Sequence, residues 1–325
     1  MAPLLDIRGL RTVFSTAAGD LAVLDGIDLA VGRGEVVGLV GESGSGKTIT
    51  GFSVTRLLPA AARVASGEVL FDGEDLLRMP PAAMRRIRGR RIAMIFQDPM
   101  MTLNPVLRID TQMTDALRAH ERISTRAARE RCVAALREVG IAAPEERLHA
   151  YPHQLSGGMR QRVAIAIALL HGPDLVIADE PTTALDVTIQ GQILSVVQRL
   201  CAERGTGLVW ITHDLAVVAG LADRIAVMYA GRIVEEGSVD AVLDAPLHPY
   251  TRGLIDSVAA SHPKGGRLPQ IPGRMPALDA LPQGCAFEPR CTRSTEACRQ
   301  KPPMRELRPL QSARCFHPLG SQVPA

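Results

Sequence analysis

The segment Gly41-Glu42-Ser43-Gly44-Ser45-Gly46-Lys47-Thr48 follows the apolar run Glu35-Val36-Val37-Gly38-Leu39-Val40, and no other feature restricts the possible fold so tightly. A short, continuous apolar run of this kind reads as a buried strand. A helix is predicted from Lys47 to about Leu58, where Pro59 stops it. Between the two, glycines let backbone N–H groups turn inward around phosphates, and the helix N-terminus adds positive potential. In a loop of this type Lys47 reaches the β- and γ-phosphates of a nucleotide and Thr48 ligates Mg²⁺. A glycine-rich turn with a surface lysine could share these letters; the strand before and the helix after favour the phosphate loop.

The remaining text repeats the same alternation. Leu4 to Leu10 and Leu21 to Val31 read as strands, and Val69-Leu70-Phe71 with Asp72-Gly73 as a strand and turn. Ile92 to Phe96, Leu175 to Ala178 and Leu208 to Thr212 are further buried strands, with a helix from about Val187 to Arg204. Buried strands alternating with helices predict a largely parallel sheet with right-handed crossovers. From about residue 99 to 171 the text is helical and charged, as in Thr125 to Val139, which predicts a helical insertion. After Ala245 proline becomes frequent and periodicity fades. A boundary is placed there, dividing residues 1–244 from a loop-rich region, 245–325.

Leu175 to Ala178 delivers two acids, Asp179 and Glu180, to the end of a strand. Beside a phosphate loop, Asp179 is placed to hold Mg²⁺ through water, and Glu180 to orient or deprotonate the attacking water.

Leu155-Ser156-Gly157-Gly158-Met159-Arg160-Gln161 resembles the LSGGQ signature of ABC ATPases, with Met159 where the commonest form has glutamine. Other segments match that family in its order. Gln97 resembles the Q-loop glutamine, Thr183-Ala184-Leu185-Asp186 the D-loop, and His213 the switch histidine at the γ-phosphate. Phe14 resembles the aromatic that stacks on adenine. The resemblance covers roughly Met1 to Asp244. It implies an α/β phosphate-loop ABC ATPase with a mostly parallel core sheet, an N-terminal antiparallel β portion and a helical insertion. It also implies a head-to-tail dimer. Ser156, Gly157, Gly158 and Met159 of one subunit then meet ATP held by the loop of the other, and closure on ATP drives membrane subunits.

Three further segments resemble the dipeptide/oligopeptide/nickel import subfamily: Phe96 to Pro105 (FQDPMMTLNP), Val187-Thr188-Ile189-Gln190, and Pro246 to Leu254 (PLHPYTRGL). This resemblance implies two permease subunits, an extracytoplasmic binding protein that chooses the substrate, and a second, related ATPase chain. Peptides are the expected cargo, with nickel or glutathione-like solutes as alternatives. The loop from Gln97 to Asn104 is expected to meet the membrane subunit.

Composition sets outer limits. Lys+Arg 37 against Asp+Glu 34, net +3, is not the basic excess of a nucleic-acid binder. The longest apolar stretch, Val163 to Leu170, ends at His171-Gly172-Pro173, far short of the ~20 residues a membrane helix needs. Asp6 and Arg8 interrupt the N-terminal apolar text, so it does not read as a secretory signal. The expected location is peripheral, on the cytoplasmic face of the membrane.

Of six cysteines, Cys132 and Cys201 sit in helical text and read as core residues. Cys285, Cys291, Cys298 and Cys315 crowd the C-terminal region with gaps of five, six and sixteen residues. In a reducing compartment such a cluster suggests metal before disulfide. Zinc sites usually space their ligands by two to four residues, so the wider gaps favour a [4Fe–4S] cluster, with Zn²⁺ as the alternative. The segment also resembles the C-terminal cysteine segment of the import subfamily. A soluble ABC ATPase of DNA repair or translation would carry large coiled-coil or tandem insertions, which this text lacks. A non-hydrolysing regulatory subunit would not need Glu180 and His213.

Overall fold

A computed structural model of the chain describes residues 2–17, 19–182, 186–257 and 270–320. Two compact units emerge, each assembled from separated stretches of sequence. One gathers residues 1–4, 31–35 and 78–210, the other 5–30, 36–77 and 211–325.

In chain order the strands are β1 (Leu5–Thr16), β2 (Gly19–Val31), β3 (Val36–Val40), β4 (Ala62–Phe71), β5 (Glu74–Asp75) and β6 (Ile92–Ile95). There follow β7 (Leu175–Asp179), β8 (Gly207–Thr212), β9 (Arg224–Tyr229), β10 (Arg232–Ser238), β11 (Arg305–Arg308) and β12 (Gln311–Ala313).

The unit around the helical insertion contains β6, β7 and β8 up to Trp210. β7 lies between β6 and β8 and runs parallel to β6, pairing Ile92 with Leu175 and Ile95 with Ala178. All five residues of β7 are buried, as a strand covered on both faces requires. The Arg91–Asp174 ion pair, 2.7 Å, and the Leu175 N–H donating to Arg91 O at 3.0 Å fix the register of β6 on β7. The insertion is helical, as expected. Its helix Thr125–Glu138 starts at Ser124, whose Oγ accepts from Ala127 N, and buries Ala128, Cys132 and Leu136 at four-residue spacing. The helix Gly157–Leu169 is apolar on most sides and buried accordingly. The helix Val187–Arg204 ends at Gly205, in the left-handed conformation at φ 63°.

The unit around the phosphate loop has two sheets. One is antiparallel, in the order β2-β1-β4-β5, and supplies the expected N-terminal β portion. In the other, β3 runs parallel to β9, and the order continues through β10 and β12 to β11. Asp223 anchors the start of β3, accepting from Val36 N at 2.8 Å and donating its own N–H to Val36 O. The hairpin β9–β10 turns at Ala230 and Gly231, at φ 45° and 77°.

The C-terminal region is less loop-like than its sequence suggests. β12 pairs with β10, and β11 with β12, so this region extends the sheet that carries β3. A helix Pro249–Asp256 follows Pro246-Leu247-His248. The turn before it is tied to β10 by Glu235, fully buried, whose carboxylate accepts from Leu247 N (2.7 Å), His248 N (2.8 Å) and Gln311 Nε2 (3.0 Å).

Candidate functional site

The site residues fall in both units. In one, the phosphate loop leaves β3 and opens the helix Lys47–Thr55. Gly41 and Gly46 are the positions where glycine is required. A Cβ on Gly41, at φ 157°, would come within 2.2 Å of Met228 O; Gly46 caps the helix at φ 105°. Lys47 is buried and its Nζ donates to Gly41 O (2.8 Å) and Glu42 O (3.1 Å), folding back over the loop. Ser45 Oγ is buried with no hydrogen-bond partner among the described residues. A buried orphan donor in a glycine cradle at a helix start fits an anionic phosphate. Thr48 follows Lys47 in the first turn of the helix.

Ser43 and Gly44 complete the loop; a Cβ on Gly44 would lie 3.1 Å from Met275 Cε. Glu42 is committed elsewhere. Its N–H donates to Tyr250 Oη at 2.8 Å, and its carboxylate takes two bonds from Arg290, 2.7 and 3.0 Å. Phe14 is half-buried on β1 opposite Ala62 of β4. His213 is exposed immediately after β8, before the helix Leu215–Ala219, which Asp214 caps.

In the other unit, Asp179 is the buried last residue of β7, and Glu180 follows it with φ 43°. Gln97 Nε2 lies 3.5 Å from Glu180 Oε2, the outer limit of a hydrogen bond. The strand pair β6–β7 thus brings two predicted site residues, 83 positions apart, together. Ser156 caps the helix Gly157–Leu169, its Oγ accepting from Met159 N at 3.3 Å. Ser156 and Gly157 are exposed, and Gly158 and Met159 partly so. Asp186 caps the helix Val187–Arg204 by accepting from Ile189 N at 3.0 Å. The expected D-loop residues 183–185 lie outside the described residues. Beyond Gln97, Met101 and Val106 are 68% and 74% exposed.

The four C-terminal cysteines line one small pocket, with Phe287, Phe316 and His317. Burial raises the thiols of Cys285 and Cys291, and burial with the charge of the other three pushes Cys315 up to about 12. A single-ion metal site is not formed. Among the described residues no group of three His, Cys, Asp or Glu side chains could hold a metal ion. The four thiols nonetheless share this one pocket. Cys132 and Cys201 are buried apart from it; burial pushes the Cys201 thiol up to about 11.

Sequence reasoning missed Tyr229, Tyr250, Met275 and Arg290. Tyr250 and Arg290 both lie in segments singled out for other reasons, and nothing local announces that either reaches residue 42.

A profile described as ABC transporter matches residues 24–183, and one described as oligopeptide/dipeptide transporter, C-terminal region, matches residues 234–298. The chain is 48% identical over 327 residues to a putative peptide import ATP-binding protein of Brucella melitensis, covering 97% of each. It is 44% identical to the oligopeptide transport ATP-binding protein of Escherichia coli K12, over 97% of this chain and 94% of that one. Among solved structures, a dimeric post-hydrolysis ATP-binding cassette with bound ADP and Pi superposes with a TM-score of 0.65. That match has 27% identity and covers 72% of this chain and 98% of the other.

Proposed function

This chain belongs to the ATP-binding proteins of ABC transporters, in the oligopeptide/dipeptide group, and from that premise we propose how its residues work. It binds and hydrolyses ATP to drive import of peptides through membrane subunits. The observation that carries this reading is the phosphate loop itself: a glycine cradle with a buried lysine folded over it, in a chain alike end to end to peptide import ATP-binding proteins.

Residues 1–244 form the ATPase portion and 245–325 the subfamily's C-terminal region. The loop Gly41–Thr48 receives the phosphates, with Lys47 neutralising charge and Phe14 stacking on the base. Thr48 and Asp179 hold Mg²⁺. Glu180 is the general base, Gln97 beside it positions water and metal, and His213 contacts the γ-phosphate. Ser156, Gly157, Gly158 and Met159 act on ATP held by a second, related ATPase subunit, with Asp186 at the same interface. The exposed apolar side chains Met101 and Val106 beyond Gln97 suit a contact with a permease subunit.

No helix among the described residues is long and apolar enough to cross a membrane. The chain works as a peripheral subunit on the cytoplasmic face, served by two permease subunits and an extracytoplasmic binding protein. The test is ATP-dependent peptide uptake into vesicles carrying the assembled transporter. Uptake with the wild-type chain and none with Glu180→Gln supports the reading; equal uptake with both overturns it.

Cys285, Cys291, Cys298 and Cys315 are the ligands of a [4Fe–4S] cluster, a reading supported by their shared pocket and wide spacing. A bound cluster supplies a bonded centre for a segment with little apolar text of its own. The four side chains would hold it as thiolates, whose buried negative charge the iron would offset. Anaerobic purification and analysis for iron, sulfide and zinc decides the matter. Four irons and four sulfides per chain are expected, with broad visible absorption; stoichiometric zinc without iron, or no metal, overturns it.

A further inference from the structure

The second residue of the phosphate loop is gripped by residues from the far end of the sequence. Arg290 gives Glu42 a two-point charge-assisted contact, Nη1 to Oε2 at 2.7 Å and Nη2 to Oε1 at 3.0 Å. The Arg290 side chain is only 5% exposed, and two further bonds hold it: Nε to Pro272 O at 2.8 Å, and Nη1 also to Tyr229 Oη at 3.4 Å. Its guanidinium carbon lies 5.8 Å from the Tyr229 ring centroid and 5.9 Å from that of Phe287. The Glu42 N–H is taken by the hydroxyl of Tyr250, itself fully buried and in edge contact with Tyr229 at 4.6 Å.

Both polar ends of Glu42 are therefore satisfied by the C-terminal region. The loop is held where its chain leaves β3, five residues before Lys47. Lys47 in turn reads the carbonyls of Gly41 and Glu42, so a displacement of Glu42 moves the acceptors that orient the lysine. Four hydrogen bonds from so buried a side chain hold the guanidinium in one orientation, which makes the grip rigid.

We propose that Arg290 and Tyr250 are positioning residues for nucleotide binding, holding the phosphate loop in its phosphate-accepting form through Glu42. They touch no reacting atom; they set the affinity for ATP and leave the hydrolytic step to other residues. The inference rests on the phosphate-loop reading above.

The test uses the full chain and equilibrium binding of a fluorescent ATP analogue, with melting curves to check folding and turnover of the assembled transporter at saturating ATP. Arg290→Ala is expected to weaken binding about tenfold, as loss of a buried charge-assisted pair would. Arg290→Lys, with one donor aimed at Glu42 in place of two, restores part of the affinity. Tyr250→Phe removes only the acceptor for the Glu42 N–H and weakens binding by a smaller factor. Glu42→Gln combined with Arg290→Ala costs little more than either alone, because both break one contact. Turnover of Arg290→Ala at saturating ATP stays within about twofold of wild type, since the loss lies in binding rather than in the chemical step.

Should Arg290→Ala fail to fold, Arg290→Lys and Tyr250→Phe carry the test. Folded variants whose only change is a lower melting temperature, with ATP affinity unaltered, overturn the proposal. So does full additivity of the Glu42 and Arg290 substitutions. Lys47→Ala separates this inference from the reading beneath it. If Lys47→Ala abolishes binding and the Arg290 and Tyr250 variants do not weaken it, only the positioning role falls; if Lys47→Ala binds normally, both fall.

Discussion

Glu180 is held with φ at 43°, a conformation that costs a non-glycine residue about 1–3 kcal/mol. Its neighbour Asp179 is the buried last residue of β7, so the backbone turns sharply between the two acids. In the proposed mechanism one carboxylate serves a metal while the other, 3.5 Å from Gln97 Nε2, faces water. Glu180→Gln keeps the shape and removes the proposed base. Phosphate release by the assembled transporter is expected to drop about a thousandfold while the ATP analogue still binds, and ATP-bound dimers accumulate on gel filtration. Wild-type turnover in this variant overturns the assignment. At this scale the sequence was highly legible, because Lys47, Asp179, Glu180 and the Ser156 cap each lie where a strand ends or a helix starts, and such positions are marked by local text. Arg290 and Tyr250 were not legible. Their roles depend on a contact spanning 248 and 208 positions, and no local pattern encodes a partner so distant.

The helix Pro249–Asp256 shows how a polar core can set an element. His248 caps it, with Nδ1 accepting from Tyr250 N at 3.0 Å, and is almost wholly buried. Burial holds the imidazole neutral and depresses its pKa from the usual 6.5 to about 3. Below pH 6.5 the unfolded chain takes up a proton that the native chain refuses. The stability His248 allows is thus present above that pH and is lost as pH falls toward 3. The slope is about 1.4 kcal/mol per pH unit, so lowering the pH from 7 to 5 removes about 2 kcal/mol. Burial raises Glu235 beside it, which acts with the opposite sign, so the informative comparison is with His248→Asn. Asparagine caps well and does not titrate. Urea midpoints between pH 7 and 5 should fall less in the variant than in wild type; parallel profiles overturn the assignment. A helix beginning within His248 to Leu254 was foreseen from the segment that resembles the import subfamily. The hairpin β9–β10 and the pair β11–β12 were not. Ile225 to Tyr229 followed by Ala230-Gly231 is a readable hairpin signal, whereas β11 and β12 are three or four residues long and owe their conformation to the edge of β10.

For the whole molecule, the proposed shared site sets the exposed Ser156 and Gly157, at the start of a thirteen-residue helix, against ATP held by a second subunit. Gly157→Asp puts a carboxylate in the first turn, where it suits the helix dipole and leaves folding intact but repels the γ-phosphate of a partner's nucleotide. The isolated chain should bind the ATP analogue with wild-type affinity, while ATP-dependent pairing with its partner ATPase disappears. A loss of affinity in the isolated chain contradicts the shared site. The grip on Glu42 has a consequence in time as well as in space. The phosphate loop is among the first parts of the chain to be synthesised, and Arg290 follows 248 residues later. At about 5–20 residues per second, a growing chain spends roughly 10 to 50 seconds without this grip on the loop. On the proposed role of Arg290, full affinity for ATP is reached only after that arginine has been synthesised and folded against the loop.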